Sequence, residues 1–159
     1  MSVIYKPIGV IHTPFIKKEG MPIQPGGASG IKGNIVLKKK YSEGLKDLDG
    51  FSHIILIYHL HKSKGYNLQV IPFLDTEPHG IFSTRAPRRP NSIGISVVKL
   101  VGISENVLEV ENVDIIDGTP LLDIKPYAIQ FDHFQTEKNG WLDVVKGNVT
   151  KAKSDSRFK

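Results

Sequence analysis

The sequence consists largely of short apolar runs, each ended by glycine, proline or a polar turn. This pattern limits the folds that the chain can adopt. The segment 108–113 alternates apolar and polar residues with a period of two, which predicts a strand with one buried and one exposed face. In the first half of the chain, helix signals are concentrated at 42–49, where Ser42 can cap and Leu45 and Leu48 share a face. Many short strands and one convincing helix predict a mainly β, single-domain barrel with one or two short helices.

The predicted strands account for most of the apolar residues. They are assigned to 3–11, 35–37, 51–61, 68–73, 93–103, 107–113 and 121–127, and 141–149 is either a last strand or a cover. Residues 1–148 are predicted to form the barrel domain. The basic, polar segment 149–159 is predicted to be a mobile tail.

The composition excludes several kinds of protein and site. A length of 159 residues is enough for one domain with its own core. The absence of cysteine excludes disulfides, thiol nucleophiles and cysteine-ligated zinc, and it fits a cytoplasmic protein. No signal pattern and no apolar run of about 20 residues is visible, so we expect neither export nor a membrane span. A formal net charge of +5 favours phosphate-bearing partners.

A proline-rich segment at 79–96, called the arginine loop below, carries three arginines: Arg85, Arg88 and Arg89. Pro87 and Pro90 fix their own φ angles and keep the preceding residues extended, so the segment cannot be helical. A stiff loop loses little entropy when its guanidinium groups bind an anion. A solvated basic turn is the simpler alternative. However, the small, polar residues at 91–94 let a ligand approach the backbone closely, so we favour a ligand-binding loop.

Histidines recur on one face of the strand predicted at 51–61. His53, His59 and His61 share that face, while Tyr58 lies on the opposite face. A His-x-His pair can bind a metal ion, but no second cluster of ligand residues has the spacing to complete a site. We therefore predict no metal site and interpret the histidines as hydrogen-bonded pocket residues.

Two further charged groups admit both a structural and a functional interpretation. Lys38, Lys39 and Lys40 are most simply a solvated strand end, with phosphate contact as the alternative. Asp123, Lys125 and Tyr127 form a polar row on one strand face. Within that row, an ion pair in the sheet and a ligand anchor explain Asp123 equally well.

Familiar nucleotide and nucleophile motifs are missing from the sequence. It contains no G-x-G-x-x-G after a strand, no P-loop and no G-x-S-x-G nucleophile elbow. Loops at 24–26, 85–91 and 117–125, gathered at one mouth of a barrel, would instead form a concave site. The residues alone thus predict a site for a small anionic or nucleotide-like ligand.

Four motifs, in order, resemble the TsaA/TrmO family of S-adenosylmethionine-dependent tRNA methyltransferases. They are Gln-Pro-Gly at 24–26, Leu-Asp-Gly-Phe-Ser-His at 48–53, Gly-Ile-Phe-Ser-Thr-Arg-Ala-Pro-Arg-Arg-Pro-Asn-Ser-Ile-Gly at 80–94 and Asp-Gly-Thr-Pro-Leu-Leu-Asp-Ile-Lys-Pro-Tyr at 117–127. The resemblance covers roughly residues 3–130. Ser92 stands where the family often has proline. The chain ends soon after residue 150, so it is similar to the short archaeal members rather than to bacterial members with a C-terminal extension.

The resemblance implies a single β-barrel that binds S-adenosylmethionine without a Rossmann fold, in a homodimer whose sites lie near the subunit interface. The implied reaction is methyl transfer to N6 of threonylcarbamoyladenosine at position 37, in the tRNA anticodon loop. Carried across position by position, the implied donor-binding residues are Gln24, Pro25, Gly26, His61, Lys62, Arg85, Ile95, Leu122, Asp123, Ile124 and Lys125.

The catalytic and RNA-binding candidates also follow from the resemblance. Asp123 is expected to anchor the donor or accept a proton, and Arg85 to hold the carboxylate of the donor or of the threonyl group; Tyr127 completes the catalytic set. Anticodon-loop phosphates are expected to meet Arg88, Arg89, Lys38, Lys39 and Lys40. Two alternatives remain: a methyltransferase of this fold that acts on another nucleoside or small molecule, and a non-catalytic module that binds the donor or RNA.

Overall fold

The computed structural model describes residues 1–145 and 151–158. Within them, eight strands run antiparallel to their neighbours: β1 (Gly9–His12), β2 (Lys32–Leu37), β3 (His53–His59), β4 (Gln69–Val70), β5 (His79–Gly80), β6 (Ile93–Ser104), β7 (Val107–Glu111) and β8 (Thr119–Pro126). The described helices are the short α1 (Ile129–Asp132) and 3₁₀ helices at Pro25–Ala28, Lys39–Leu45, Leu48–Gly50, Ile81–Ser83 and Gly140–Val144. None of these helices has the length and apolar character needed to cross a membrane.

Six strands close into a barrel in the order β1-β2-β7-β6-β3-β8, and β8 pairs back onto β1. Along β3, alternate residues Ile54, Leu56 and Tyr58 are buried in the interior, while the residues between them lie on the outer wall. Each fully buried isoleucine or leucine contributes about 1.5–3 kcal/mol relative to an exposed one. The core is completed from the other five strands by Ile11, Ile35, Val98, Leu108, Val110 and Leu121. The predicted mainly β barrel is confirmed.

The first strand was predicted at 3–11, but β1 begins only at Gly9 and ends at His12. A Cβ atom at Gly9 would lie 2.6 Å from the carbonyl oxygen of Val36, so β1 and β2 can approach this closely only at glycine. Two residues before Gly9, Pro7 has no N–H group to donate to a neighbouring strand, which disfavours an extension of β1 toward the N-terminus.

The helix predicted at 42–49 is present as two 3₁₀ helices, Lys39–Leu45 and Leu48–Gly50, rather than as one continuous helix. Asp47 lies between them with φ 67°, a left-handed conformation that interrupts an α-helix. Leu45 is the buried residue of the first 3₁₀ helix and packs against the core. A short cap over one end of the barrel is therefore formed without a regular helix.

The segment predicted as a last strand or cover begins with the 3₁₀ helix Gly140–Val144. The strand alternative is therefore wrong for the described part of this segment. Residues 146–149 of that prediction, and the predicted domain boundary at 148–149, lie outside the described residues.

The C-terminal residues pack against the body of the protein. Ser154 N donates to Met21 O at 2.8 Å, and the Ser154 side chain accepts a hydrogen bond from Met21 N. Phe158 is 7% exposed, because it lies in a small apolar cluster with Val70, Phe73, Ile81 and Ala86. The part of the predicted mobile tail that the structure describes, 151–158, is thus held in place by a buried aromatic side chain.

Strand β8 carries one extra residue where it pairs with β3. Ile57 pairs with Asp123, but the next residue, Tyr58, pairs with Leu121, so Leu122 forms a β-bulge. Before the bulge, Leu121 is fully buried inside the barrel. After it, Asp123 lies beside Ile57 on the outer wall, and the alternation of the strand is reversed.

Candidate functional site

A cavity opens at one end of the barrel, where β3 ends and β6 and β8 begin. Its volume is about 760 Å³, within the range of small-molecule sites. Tyr58, Leu60 and Thr119 form part of its inner wall. Outside the barrel it is enclosed by parts of the arginine loop and by residues of the segments 18–24, 139–143 and 154–158. These segments come from distant parts of the sequence, so the site exists only in the folded chain.

Arg89 stabilises the conformation of the arginine loop through hydrogen bonds to its backbone. Its Nη1 atom donates to the carbonyl oxygens of Ile81 at 3.1 Å, Thr84 at 2.8 Å and Ala86 at 3.4 Å. Thr84 and Ala86 are also buried, which anchors the loop to the body. The geometry therefore gives Arg89 a structural role in the loop, and its contact with RNA stays a prediction.

Arg85 and Gln24, predicted from separate motifs, meet at the cavity wall. Arg85 Nη1 donates to Gln24 Oε1 at 3.0 Å, and both residues line the cavity. Pro25 and Gly26 follow directly in the 3₁₀ helix Pro25–Ala28, and Gly26 is not among the residues that line the cavity. The amide of Gln24 thus orients a guanidinium that has further donors for a ligand.

His61 and Lys62, also predicted, lie beyond the end of β3 and line the same cavity. The His61 Nδ1 atom is 3.4 Å from Thr119 Oγ1. Burial lowers the pKa of His61, with a further contribution from the charge of Lys62, so the imidazole is neutral at pH 7. The carbonyl of Lys62 accepts a hydrogen bond from Lys18, which also lines the cavity. No group of three or more metal-ligand side chains is found in the described chain.

A buried row of polar groups runs from the barrel interior to the cavity, and the sequence analysis did not identify it. Tyr58 Oη lies 2.9 Å from Ser96 Oγ, and Ser96 Oγ donates to Asp114 Oδ1 at 2.7 Å. Tyr58 and Asp114 both line the cavity. Burial raises the pKa of Asp114 to about 6, an effect that the hydrogen bond from Ser96 opposes. Burial also raises the pKa of the Tyr58 hydroxyl, which therefore stays protonated.

Several predicted donor-binding residues lie elsewhere, on the outer wall of the barrel. Asp123 and Ile95 flank Ile57 across β8, β3 and β6, and neither residue lines the cavity. Asp123 Oδ2 is 2.9 Å from Lys125 Nζ in an ion pair that is about half exposed. Leu122 is the bulge residue, and Ile124 packs against the core. The predicted donor-binding set is therefore split between the cavity and the outer wall.

Tyr127, the third catalytic candidate, also lies away from the cavity. Its backbone N–H donates to His53 O at 3.1 Å, and its ring meets the His53 ring edge-on with centroids 6.3 Å apart. Of the three catalytic candidates, only Arg85 lines the cavity in the described chain.

The predicted RNA-binding residues are divided between the two ends of the barrel. Lys38, Lys39 and Lys40 follow Leu37, which pairs with Gly9 at the end opposite the cavity. Arg88 lies near the cavity, where its charge contributes to lowering the pKa of Lys18, although burial is the larger cause. The Arg88 Nε atom is buried and has no hydrogen-bond partner in the described residues. In the described chain, the three lysines and Arg88 therefore lie at opposite ends of the barrel.

Two aromatic residues at the cavity rim were also not predicted as site residues. Phe82 is 76% exposed although it lines the cavity. Trp141 donates from Nε1 to Ser83 O at 2.8 Å and stacks on His79, with centroids 4.8 Å apart. The solitary tryptophan in a polar stretch was the available signal, but its position at the rim depends on the fold.

Comparison with known proteins gives consistent matches. Residues 10–133 match the family described as the tRNA-methyltransferase O N-terminal domain. A Pyrococcus abyssi protein, named a probable S-adenosyl-L-methionine-binding protein, is 50% identical over 158 residues, which cover 99% of this chain and 86% of that protein. A mouse protein named tRNA (adenine(37)-N6)-methyltransferase is 35% identical over 138 residues, which cover 82% of this chain and 32% of that protein.

The fold also matches a solved structure. The crystal structure of TrmO from Pseudomonas aeruginosa superposes with a TM-score of 0.75 at 35% identity, and the match covers 89% of this chain and 63% of that chain. The chain thus spans about two thirds of the solved structure and about one third of the mouse protein.

Proposed function

The chain belongs to the tRNA-methyltransferase O family, and on that premise we propose that it transfers a methyl group from S-adenosylmethionine to N6 of threonylcarbamoyladenosine at tRNA position 37. The family expected from the four motifs is confirmed. S-adenosylmethionine as cofactor and tRNA methylation as reaction class agree with the names of its relatives. The modified nucleoside, in contrast, is our proposal.

The observation that carries this proposal is the meeting of Gln24, His61, Lys62 and Arg85 around one cavity. Three separate sequence segments supply these residues, and each was predicted to bind the donor. The cavity is lined largely by apolar side chains, which suits the adenosyl group of the donor. We assign to Arg85 the carboxylate of the donor or of the threonyl group, because a guanidinium binds a carboxylate through two parallel hydrogen bonds.

Methyl transfer of this kind depends mainly on positioning. The positively charged sulfur makes the methyl carbon electrophilic, and the substrate nitrogen must approach it from the side opposite sulfur. A cavity that encloses the donor excludes water and fixes this approach. The exposed Phe82 and the stacked Trp141 at the rim offer surfaces for the adenine base, since aromatic side chains stack on unpaired bases.

We also propose that the chain acts as a homodimer. Ile95, Asp123 and Lys125 lie on the outer wall, away from the cavity of their own chain. Around them, the wall of β3 and β6 is apolar, with Ile93 40% and Ile95 54% exposed. A second copy packed on this wall would cover the apolar surface and bring Asp123 to the cavity of its neighbour, which accounts for both halves of the predicted donor-binding set.

We propose the RNA-binding surface from the positive charges of the chain. The formal net charge of +5 and the position of Arg88 near the cavity favour contact with anticodon-loop phosphates. Arg89 and the lysines at 38–40 remain candidates, the lysines through the second subunit. A tRNA substrate is consistent with the cytoplasmic location expected from the sequence.

One assay tests the proposed function. The purified chain is incubated with methyl-labelled S-adenosylmethionine and with two tRNA samples, one carrying the threonylcarbamoyl group at position 37 and one lacking it. We expect label only in the first sample, and digestion to nucleosides should place the label on the modified adenosine. Arg85→Ala, measured in parallel, should lose the activity.

Other outcomes of the assay correspond to the two alternatives. Label on a different nucleoside, or in both samples, would show a methyltransferase of this fold with another substrate. Bound S-adenosylmethionine without transfer to either tRNA would favour a non-catalytic module. Binding of the tRNA that weakens as salt rises would show that phosphates are contacted.

A further inference from the structure

The buried row formed by Tyr58, Ser96 and Asp114 lies at the cavity and has no part in the function argued so far. We propose that Asp114 accepts the proton that the substrate nitrogen loses during methyl transfer, and that Ser96 and Tyr58 position its carboxylate. This inference rests on the proposed function, since it concerns the same reaction in the same cavity. It assigns the proton acceptor to a residue other than Asp123.

The step balances without a further reactant. The electron pair of the N6–H bond stays on nitrogen, which forms a bond to the methyl carbon. The carbon–sulfur bond breaks, and its electron pair stays on sulfur, so the donor becomes a neutral thioether. The proton moves to the Asp114 carboxylate and is later released to water. An N6 nitrogen that carries a carbamoyl group is a weak nucleophile, so the removal of this proton accelerates the step.

The position of Asp114 distinguishes it from the other carboxylates that line the cavity. Asp155 forms an ion pair with Arg157 at 2.9 Å, and Asp143 accepts hydrogen bonds from Asn139. Asp114 sits deeper, between the buried residues Val113 and Ile115. Asp123 is about half exposed on the outer wall and paired with Lys125, a position that suits an anchor better than a base. Asp114 is thus the carboxylate placed at the buried end of the cavity.

The hydrogen bonds of the row have a defined direction. Ser96 has one hydroxyl hydrogen and donates it to Asp114 Oδ1, so Tyr58 must be the donor to Ser96. When Asp114 takes up a proton it can donate to Ser96, and Ser96 can then donate to Tyr58. The row keeps all its hydrogen bonds in both protonation states. A carboxylate held in this way stays hydrogen-bonded to Ser96 whether it is ionised or protonated.

The charges around Asp114 suit a proton acceptor at neutral pH. Burial raises its pKa to about 6, so the carboxylate is mostly ionised at pH 7 and still more basic than an exposed one. The groups that influence it are the Tyr58 hydroxyl, the Ser96 hydrogen bond and the Arg85 guanidinium, which favours the charged form. Lys62 and Lys18 also line the cavity, and their positive charges have the same sign as that of Arg85, whereas His61 is neutral at pH 7.

The test is Asp114→Asn, which preserves shape and can still accept the hydrogen bond from Ser96. We expect the affinity for S-adenosylhomocysteine, measured by calorimetry, to change less than threefold, and kcat to fall about 100-fold or more. The matched control is Asp49→Asn, an exposed residue at the opposite end of the barrel, which should keep the wild-type rate. Wild-type kcat for Asp114→Asn would overturn the inference, and so would loss of kcat in step with loss of donor binding.

The pH profile separates catalysis from a structural role. Because Asp114 must be ionised to accept a proton, wild-type kcat/KM should fall as the pH drops below about 6. In Ser96→Ala the carboxylate loses a hydrogen bond that favours its charged form, so this fall should move to higher pH. An unchanged profile in Ser96→Ala would overturn the positioning role of Ser96. An inactive wild-type chain that binds the donor would overturn the proposed function as well, whereas an active wild type with a fully active Asp114→Asn would overturn this inference alone.

Discussion

Arg85 Nη1 donates a hydrogen bond to Gln24 Oε1 at 3.0 Å, although the two residues are 61 positions apart in the chain. The contact joins two loops that the barrel brings to the same cavity. A guanidinium has five donors in a planar fork, so Arg85 can bind Gln24 and a ligand carboxylate at the same time. The amide of Gln24 thus fixes the direction in which the charge is presented.

Replacing Arg85 with lysine is expected to weaken the binding of S-adenosylhomocysteine about tenfold or more. Lysine keeps the positive charge, but it cannot bond to Gln24 and to a carboxylate in the same planar geometry. Isothermal titration calorimetry measures the change. Lys32→Arg, on an exposed strand position paired with Glu109, is the control and should bind as the wild type does. Full affinity in Arg85→Lys would contradict the assigned role.

Arg89 and Arg88 are expected to give opposite results when each is changed to methionine. Arg89→Met removes the donor from three loop carbonyls, so the free energy of unfolding should fall by about 1–3 kcal/mol in urea denaturation. Arg88→Met should leave stability nearly unchanged. It should instead reduce the slope of log affinity for tRNA against log salt by about one. A reduced salt slope in Arg89→Met at unchanged stability would show that the two roles were reversed.

Ile95→Asp is expected to prevent dimerisation, because it places a carboxylate on the apolar outer wall that the second subunit is proposed to cover. Sedimentation analysis should show a monomer. Val36→Asp makes the same change at a partly exposed position on β2 and is expected to leave the oligomeric state unchanged. A monomeric wild type would exclude the proposed dimer.

A mixing experiment tests whether the site is shared between subunits. Arg85→Ala and Asp123→Ala should each be inactive alone. Equimolar mixing with subunit exchange should restore about a quarter of the wild-type activity, because about half of the dimers then contain one intact composite site of two. No recovery after confirmed exchange would place Asp123 outside the functional site.

Phe158→Ala is expected to lower the free energy of unfolding by about 2–4 kcal/mol, because Phe158 is buried against Val70, Phe73 and Ile81. Phe134→Ala is the matched control. Phe134 is 75% exposed, so its replacement should change the free energy of unfolding little. Equal stabilities for the two variants in urea denaturation would mean that the C-terminal segment contributes no packing in solution.

Asp114 should also make the stability of the protein depend on pH. Its pKa is raised from 3.8 to about 6, so between these values the folded chain keeps a proton that the unfolded chain has lost. Stability from this group therefore decreases as the pH rises from about 4 to about 6, by up to about 3 kcal/mol, and stays lower above that range. Relative to the wild type, Asp114→Asn should gain stability between pH 4 and pH 7. The free energies of unfolding of both proteins are measured by urea denaturation at pH 4 and pH 7. The same difference between wild type and Asp114→Asn at the two pH values would contradict the raised pKa of Asp114.

The sequence predicted those parts of the structure that depend on local pattern. Alternation identified β7 as a strand with one buried face, and β-branched apolar residues identified β3. The prolines of the arginine loop correctly predicted that 84–92 is not helical, although the loop contains the 3₁₀ helix Ile81–Ser83. Parity also placed Asp123, Lys125 and Tyr127 correctly on one face. It could not show that this face is the outer wall, because the bulge at Leu122 reverses the alternation and depends on pairing with β3.

The buried polar row shows a second limit of sequence analysis. Tyr58 was assigned to the face opposite the histidines, which proved to be the barrel interior. However, nothing in the sequence near Tyr58 indicates that Ser96 and Asp114 will lie within hydrogen-bonding distance of it. Contacts between residues so far apart are decided by strand order and barrel closure, which local periodicity does not encode. Arg85 and Gln24 were identified only because each lies in a recognisable motif.

The extra residue in β8 has a consequence for which insertions and deletions this protein can tolerate. If β8 kept its residues but formed no bulge, the alternation set by Thr119 and Leu121 would continue, and Asp123 and Lys125 would turn toward the core. A carboxylate and an ammonium group would then be buried among Leu56, Val98 and Leu121. Deletion of Leu122 removes the extra residue itself, so Leu121 and Asp123 would pair with Tyr58 and Ile57 in regular register and keep their present faces. Deletion of Ile124 would instead turn Lys125 toward the core and should therefore be more harmful than deletion of Leu122.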